Sequence, residues 1–267
     1  MKMLNRATLT ALLMAPAIAL PGVALADTRV TFTTGVDYSS GDYGGTEETE
    51  VVRVPLIGRV ITDNWEFRAT VPFLSITGPA DVADPDDPNG GTIVRTGTDT
   101  GLGDVALEVT RNFEDLGGSN VYFDATGWVR LETGDKDRGL GNGATDYALI
   151  GELGNSGDNG GVYVSAGRRF LGDDGSTTPR RDGWQARVGG WFATGDNSRI
   201  GAAYSWREAS KAGREDPSEV SAYMSFQLNE QLGVSVSGGA GLSDASADYR
   251  AGVRLTWRSQ RADRRDR

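Results

Sequence analysis

The chain has 267 residues, and its 37 acidic residues outnumber its 27 basic ones to give a net charge of −10. This acidic balance argues against nucleic acid as a partner, because phosphate binding requires basic patches. The chain also contains no cysteine and no histidine. Disulfides are therefore excluded, and so are the hydrolase mechanisms in which histidine is the base, so we expect no enzyme and no cofactor.

The first 26 residues are typical of a secretory signal. Lys2 and Arg6 form a basic start, residues 7–19 are small and largely apolar, and residues 24–26 read Ala-Leu-Ala, the small-x-small pattern of a cleavage site. Two prolines interrupt this region, which argues against a retained membrane-spanning helix. Cleavage after residue 26 would remove two basic residues and no acidic one, and would take the net charge from −10 to −12.

Beyond the signal, apolar and polar residues alternate with a period of two, which predicts β-strands with two unlike faces. The clearest stretch is 121–153, where Phe123 and Val129 share one parity while Asp124 and Arg130 share the other. About twelve such segments recur, and no long helical pattern appears. The predicted strands cover approximately residues 28–39, 50–61, 65–75, 102–113, 121–132, 146–153, 161–171, 183–193, 198–208, 218–228, 231–240 and 248–257.

The connections between the predicted strands alternate in length. Those after every second strand are short, whereas the others are usually longer and more polar. Short turns on one side and long loops on the other are typical of outer-membrane β-barrels, whose apolar face contacts lipid and whose charged face lines the lumen. A soluble β-sandwich has no reason to keep this alternation. The short connections are 63–64, 116–120, 155–160, 194–197 and 229–230.

We therefore predict an all-β protein, a transmembrane antiparallel up-and-down β-barrel of about twelve strands that is formed by residues 27–257 and lies in the cell outer membrane. The expected partners are outer-membrane lipids, a small-molecule solute and the barrel assembly machinery. The last strand alternates as far as Trp257, which is similar to the terminal strand that this machinery recognises. Residues 258–267 form a basic tail that we expect to be disordered.

Three stretches resemble a known family. They read TDNWEFRATVPFLSITGP at 62–79, GLGDV at 101–105 and LETGDKDRGLGNGATDY at 131–147. In these stretches the chain resembles the outer-membrane transporters named "MetA-pathway of phenol degradation" proteins. The resemblance implies a transmembrane β-barrel that moves aromatic or other apolar compounds. It also implies a set of positions at the loop rim and lumen mouth, without a catalytic role: Gly101, Gly103, Asp104, Thr133, Gly134, Asp135, Gly141 and Asp146.

The ionisable residues of the strands belong to the predicted lumen face, since an isolated charge facing lipid would cost about 2–4 kcal/mol at the membrane midplane. Two interpretations stay open: a polar path with a substrate site, and a network of salt bridges that fills a narrow barrel. A third, an enzyme that uses paired carboxylates, is disfavoured because such residues in a lumen are usually structural. The candidate path residues are Arg53, Arg59, Glu66, Arg68, Asp104, Glu108, Asp124, Arg130, Glu132, Asp146, Glu152 and Arg187. The same parity is shared by Arg199, Arg207, Glu219, Arg250 and Arg254.

Pro55 and Pro72 form an unusual pair. If Asp63 and Asn64 make a two-residue turn, the two prolines face each other on neighbouring strands. Because proline donates no ladder hydrogen bond, we hypothesise a lateral opening between these strands, through which an apolar solute leaves toward lipid. The alternative is a bulge that only sets the curvature of the barrel.

The acidic loop at 84–91 loosely resembles a calcium-binding loop. It lacks the full ligand spacing and a terminal glutamate, so we predict a solvated loop and no metal site. For the whole chain, the sequence favours a passive channel for small molecules, aromatic or hydrophobic compounds among them. The alternative is a barrel without transport that serves as a structural or surface-interaction element.

Overall fold

A computed structural model describes residues 28–78, 97–176 and 178–259. The predicted signal, the acidic loop at 84–91 and the predicted tail beyond residue 259 lie outside the described residues. The strands are β1 Arg29–Gly41, β2 Thr49–Ile61, β3 Trp65–Thr77, β4 Thr98–Leu102, β5 Val105–Phe113, β6 Val121–Leu131, β7 Asp146–Ser156, β8 Gly160–Phe170, β9 Gly183–Gly195, β10 Ser198–Arg207, β11 Ser218–Gln227, β12 Leu232–Gly241 and β13 Tyr249–Arg258.

These segments form one closed barrel. Pairing is antiparallel throughout, and β1 pairs with β13 on one side and with β2 on the other, which closes the ring. Both β4 and β5 pair with β3, at residues 73–77 and 65–70 respectively, so they are two halves of one strand. The barrel therefore has twelve strands, which confirms the predicted fold. No helix in the described part of the chain is long and apolar enough to cross a membrane.

The outer surface of the barrel is apolar, because every second residue of each strand points outward and these residues are mostly hydrophobic. Aromatic side chains on this surface form two belts, as expected at the two membrane–water interfaces. The belt near the short turns contains Phe32, Trp65, Phe67, Phe113, Phe123, Phe192, Phe226 and Trp257. The belt near the long loops contains Phe73, Tyr147, Phe170, Trp184, Tyr204 and Tyr249.

The two ends of the barrel differ as the sequence predicted. One end, the turn end, carries the short connections 62–64, 114–120, 157–159, 196–197 and 228–231. The other, the loop end, carries the connections 42–48, 132–145, 171–182, 208–217 and 242–248, and β3 ends and β4 begins at this end. The first strand, β1, begins at the turn end, and the last strand, β13, ends there. Arg258, which the sequence analysis assigned to the tail, is the last residue of β13.

Pro55 and Pro72 do face each other, but β2 and β3, the strands that carry them, remain paired. Residues 50–61 of β2 pair with residues 66–77 of β3 in twelve consecutive pairs that run through both prolines. The lateral opening expected at this seam is therefore absent. The missing N–H of each proline instead affects the edge of its strand that faces away from the other proline. On that edge, the pairing of β2 with β1 is interrupted at Pro55, and the pairing of β3 with β4 and β5 is interrupted at Pro72.

A β-bulge separates β4 from β5 opposite Pro72. The flanking pairs show that two residues of β3 face the three residues 103–105 of the other strand. The carbonyl oxygen of Pro72 accepts a hydrogen bond from the Gly103 nitrogen at 2.8 Å. A bulge of this kind re-aims a side chain, and here Asp104 points into the barrel.

A buried apolar cluster lies inside the loop end of the barrel. Val51, Leu74 and Ile76 point inward from β2 and β3, whereas Tyr43 and Leu140 come from the loops. Each of these side chains is at least nine-tenths buried. The loops therefore fold into the barrel at this end and pack against its wall.

Candidate functional site

Four adjoining cavities lie along the barrel axis. One lies at the loop end and has a volume of about 390 Å³, two lie side by side at mid-height with about 510 and 500 Å³, and one of about 630 Å³ lies at the turn end. Arg187 lines the first three cavities, and Arg68 lines the last three. The cavities are therefore parts of one lumen.

Most of the predicted path residues line this lumen, as their parity requires. They are Arg53, Arg59, Glu66, Arg68, Asp104, Glu108, Asp124, Arg130, Glu152 and Arg187. Two others do not line it. Glu132 lies one residue beyond β6 and is exposed at the loop end, because the strand ends one residue earlier than predicted. Asp146 begins β7 and is fully buried beneath the loops.

The sequence reasoning missed several lumen residues near the ends of strands. Arg29, Asp37 and Arg258 line the lumen, and so do Arg169 and Glu230. Parity alone could have found Asp37, which shares the inward face of β1 with Thr31 and Thr33. Arg258 was missed because a run of arginines after residue 257 is typical of a tail, and nothing local shows that β13 continues for one residue more.

The lumen charges of β2, β3 and β5 form ion pairs within β3 and between neighbouring strands. Glu66 lies 3.0 Å from Nε of Arg59 and 3.0 Å from Nη2 of Arg68, and Arg68 also lies 3.2 Å from Glu108. These side chains are partly exposed to the lumen, so each pair contributes at most about 1 kcal/mol. The predicted salt-bridge network is therefore present here, although it lines the wall and does not fill the barrel.

Two further ion pairs lie on the lumen face of β1, β11 and β13. Arg250 lies 2.7 Å from Glu219, and Arg254 lies 2.7 Å from Asp37. Carboxylates without an arginine partner are held by neutral groups instead. The hydroxyl of Tyr122 donates to Glu152 at 2.9 Å, and the amide of Asn112 donates to Asp124 at 3.0 Å.

Aromatic rings also face the lumen and lie flat against its wall. A Cβ built on Gly154 would lie 2.5 Å from the ring of Tyr122, and one on Gly201 would lie 2.5 Å from the ring of Tyr223. Each ring therefore occupies the space that a side chain on the neighbouring strand would take. This arrangement keeps the lumen open and turns one aromatic face toward it. Arginines lie over other lumen rings, as Arg199 does over Trp191 at 5.5 Å.

Among the described residues, six arginines and one carboxylate, that of Glu230, line the turn-end cavity. The arginines are Arg29, Arg59, Arg68, Arg199, Arg254 and Arg258. Three of them form the ion pairs described above. This end of the lumen is therefore the most positively charged part of the path.

At the loop end, Asp146 joins the loop at 171–182 to the barrel wall. Its Oδ1 accepts hydrogen bonds from Nη1 of Arg180 at 2.8 Å and from the Gly172 nitrogen at 2.9 Å. Its Oδ2 accepts from Nη2 of Arg180 at 2.8 Å and from Arg130. The side chains of Asp146 and Arg180 are 0% and 1% exposed. A carboxylate this deeply buried is held in its ionised form by its partners and serves to fix the loop.

Asp104 connects the bulge to the loop at 132–145. Its Oδ1 accepts from the Thr133 and Gly134 nitrogens at 3.1 and 2.8 Å, and its Oδ2 accepts from the Asn142 nitrogen at 2.8 Å. The loop backbone approaches so closely that a Cβ on Gly141 would lie 2.6 Å from Oδ1 of Asp104. Four of the positions in the stretches that carry the family resemblance, Asp104, Thr133, Gly134 and Gly141, thus meet at the lumen mouth.

Asp174 anchors the next loop in the same region. It accepts from the Ser176 nitrogen at 3.0 Å and lies 3.6 Å from Nζ of Lys211. Burial works against ionisation of Asp174, but the hydrogen bonds from Ser176 and the charge of Lys211 outweigh it and hold its pKa below the ordinary value. Among the described residues, no group of three acidic, histidine or cysteine side chains is placed to hold a metal ion.

A closed twelve-strand barrel with an apolar, aromatic-belted exterior and a charged lumen defines an outer-membrane β-barrel of the porin-like fold. The KdgM porin has this fold, with a TM-score of 0.52 and 10% identity over 85% of this chain and 98% of that chain. The NanC porin is similar, with a TM-score of 0.52 and 9% identity over 85% of this chain and 98% of that chain.

The KdgM porin in complex with disordered oligogalacturonate is also similar, with a TM-score of 0.50 and 11% identity over 86% of this chain and 98% of that chain. At these identities the likeness concerns the fold alone. No family model and no curated protein matches the chain.

Proposed function

We propose that this barrel is a passive channel that carries small solutes across the outer membrane. The observation that supports this function best is the lumen itself, whose four cavities adjoin one another from the loop end to the turn end. Polar and charged side chains line it, and the large inward rings lie flat against the wall, which leaves room for water and solute. In this proposal the apolar exterior contacts outer-membrane lipids, and the barrel assembly machinery inserts the chain.

Aromatic compounds are the solutes that we propose the channel carries. Lumen rings such as Trp128 and Tyr223 present a face to the path, and a ring face offers stacking contacts to a flat solute. The resemblance to the phenol-degradation transporters in the stretches 101–105 and 131–147 points to the same class. Two proteins that share the fold, KdgM and NanC, are named porins, which agrees with a channel function.

Recording from the purified protein in a planar lipid bilayer tests the proposal. We expect discrete conductance steps, and a matched pair of variants assigns them to the lumen. Thr126→Trp places a large side chain in a mid-height cavity, whereas Ala125→Trp places it on the lipid-facing surface of the same strand. The first should lower the step size and the second should not. Folded protein without steps would refute the channel.

A barrel without transport is the second candidate, and one observation favours it. Tyr43 and Leu140 reach from the loops into the barrel and are more than nine-tenths buried there, so the described loops narrow the mouth. Solute flux into proteoliposomes separates the two functions. Swelling in an isosmotic solution of a small aromatic solute supports the channel, whereas the same rate as in empty liposomes supports the structural role.

A further inference from the structure

The charge of the lumen is opposite in sign to the charge of the chain. The whole chain has a net charge of −10. The lumen cavities, in contrast, are lined by twelve arginines and eight carboxylates among the described residues. The acidic residues in excess therefore lie elsewhere, and the path that a solute follows has a positive balance.

This positive balance is largest at the turn end, although the loop-end cavity and the smaller mid-height cavity are each lined by five arginines and two carboxylates. At mid-height, the larger cavity is lined by four arginines and five carboxylates, which nearly cancel. The turn-end cavity is lined by six arginines and one carboxylate. A low-dielectric wall lined by one sign of charge focuses the field and concentrates mobile ions of the opposite sign.

Three arginines of the turn-end cavity form no salt bridge with any carboxylate of the described residues. Arg29 has its Nε buried without a hydrogen-bond partner. Arg199 lies over the ring of Trp191, and Arg258 donates to the neutral side chain of Gln227. Arginine does not lose its proton at accessible pH, so all three keep their charge within one cavity.

Such a group of like charges is stabilised when an anion enters it. The planar guanidinium presents paired N–H donors that match the two oxygens of a carboxylate or the oxygens of a phosphate. The guanidinium of Arg199 packs over the ring of Trp191, with 5.5 Å between its central carbon and the ring centroid, and this contact holds the Arg199 donors in place. The cavity volume of about 630 Å³ is large enough for a small organic acid.

We propose that the turn-end cavity is a binding site for small oxyanions, which carry a carboxylate or phosphate group, and that the channel consequently selects anions. This inference rests on the proposed channel function and names its substrate class. The anion binds between Arg29, Arg199 and Arg258 at the turn end. It leaves the site by exchange with the solvent there. An aromatic acid would place its carboxylate on the guanidinium donors and its ring against Ile57 and Ile61, which also line this cavity.

The reversal potential in a KCl gradient across a planar bilayer tests the selectivity. We expect a preference for chloride over potassium, and the double variant Arg199→Gln, Arg258→Gln should reduce it. Arg111→Gln is the matched control, because Arg111 lies at the same end of the barrel but on its outer surface, over Trp65 and Phe113. Conductance without anion preference would refute this inference and leave the channel function intact.

Binding to the folded protein in detergent micelles tests the site independently of conductance. Titration with inorganic phosphate, benzoate and benzylamine, followed by calorimetry, should give binding of the two anions and none of the cation. The double variant should bind about tenfold more weakly or worse, as for the loss of a charge-assisted hydrogen bond. Tighter binding of benzoate than of phosphate assigns an aromatic acid, and equal binding assigns oxyanions in general. No binding of either anion would refute the site, whether or not the barrel conducts.

Discussion

The two ends of the lumen use arginine in opposite ways. At the loop end, Arg130 and Arg180 are almost fully buried and share the carboxylate of Asp146, which also binds the backbone of a neighbouring loop. At the turn end, Arg199 and Arg258 line an open cavity and have no carboxylate partner among the described residues.

The difference shows that burial and pairing, and not residue type, decide what a charged side chain does. A guanidinium removed from water must be paired, so it becomes a fixed joint between loops and barrel. A guanidinium that remains in contact with the aqueous path costs little without a partner, so its charge stays available to mobile ions. The first kind supports the structure, and the second kind acts on the solute.

The largest expected effect comes from breaking the loop-end joint. Asp146→Asn removes the negative charge that Arg130 and Arg180 share, at a place where all three side chains are almost fully buried. The free energy of unfolding, measured by urea denaturation in lipid vesicles, should fall by about 3–5 kcal/mol. Asp137→Asn changes an exposed residue of the adjacent loop and should alter it by less than about 0.5 kcal/mol. Equal effects of the two variants would contradict the contrast between the two ends.

A moderate effect is expected at the bulge. Asp104 accepts hydrogen bonds from three backbone nitrogens. Asp104→Asn keeps the shape of the side chain but replaces one acceptor oxygen by a donor, so at least one of these hydrogen bonds is lost. We expect a loss of about 1–3 kcal/mol and faster hydrogen exchange at the amides of Thr133, Gly134 and Asn142. Glu108→Gln is the control, because this partly exposed carboxylate of β5 pairs with Arg68 and, within the described part of the chain, makes no contact with the loop at 132–145. Unchanged exchange rates in the Asp104 variant would show that the loop is held by other contacts.

A smaller effect should appear as a pH dependence of the loop at 171–182. Because the pKa of Asp174 is lowered in the folded protein, its contribution to stability is present above the ordinary pKa and is lost as the pH falls through the lowered one. Hydrogen exchange in this loop should therefore stay constant from neutral pH to about pH 4, after correction for the intrinsic rate, and increase below it. Asp174→Asn should abolish this transition, whereas Asp173→Asn, at the exposed neighbouring residue, should retain it.

The smallest effect on stability is expected at the turn end. Arg199→Gln removes a cation–π contact with Trp191, which contributes about 0.5–1 kcal/mol at a solvent-accessible site, and it also relieves repulsion among six arginines. We expect the unfolding free energy to change by less than about 1 kcal/mol. A loss as large as that of the Asp146 variant, in the same urea assay, would show that the turn-end arginines are structural as well.

Much of the barrel follows from local pattern. Parity placed Arg53, Arg68 and Glu108 on the lumen face, because in a strand each residue points to the face opposite its neighbour's. The turn at Asp63 and Asn64 set the register of β2 and β3 correctly enough to predict which residues face each other. The hypothesis over Pro55 and Pro72 left out the alternation of hydrogen-bonded and non-hydrogen-bonded pairs in an antiparallel ladder. Counted from the hydrogen-bonded pair of Thr62 and Trp65, the two prolines form a non-hydrogen-bonded pair, so each missing N–H would point away from the partner strand.

The sequence by itself determined the strands, their inward and outward faces, the short turns and the charge of the lumen wall, since each of these depends on residues that are close in the chain. Only the tertiary structure decided which charges are buried, paired or free. Asp146 and Arg180 meet because a loop folds inward, and Arg29 and Arg258 share a cavity because the first and last strands close the ring. Such contacts join residues far apart in sequence, and their energy depends on exclusion of water, which no local pattern records.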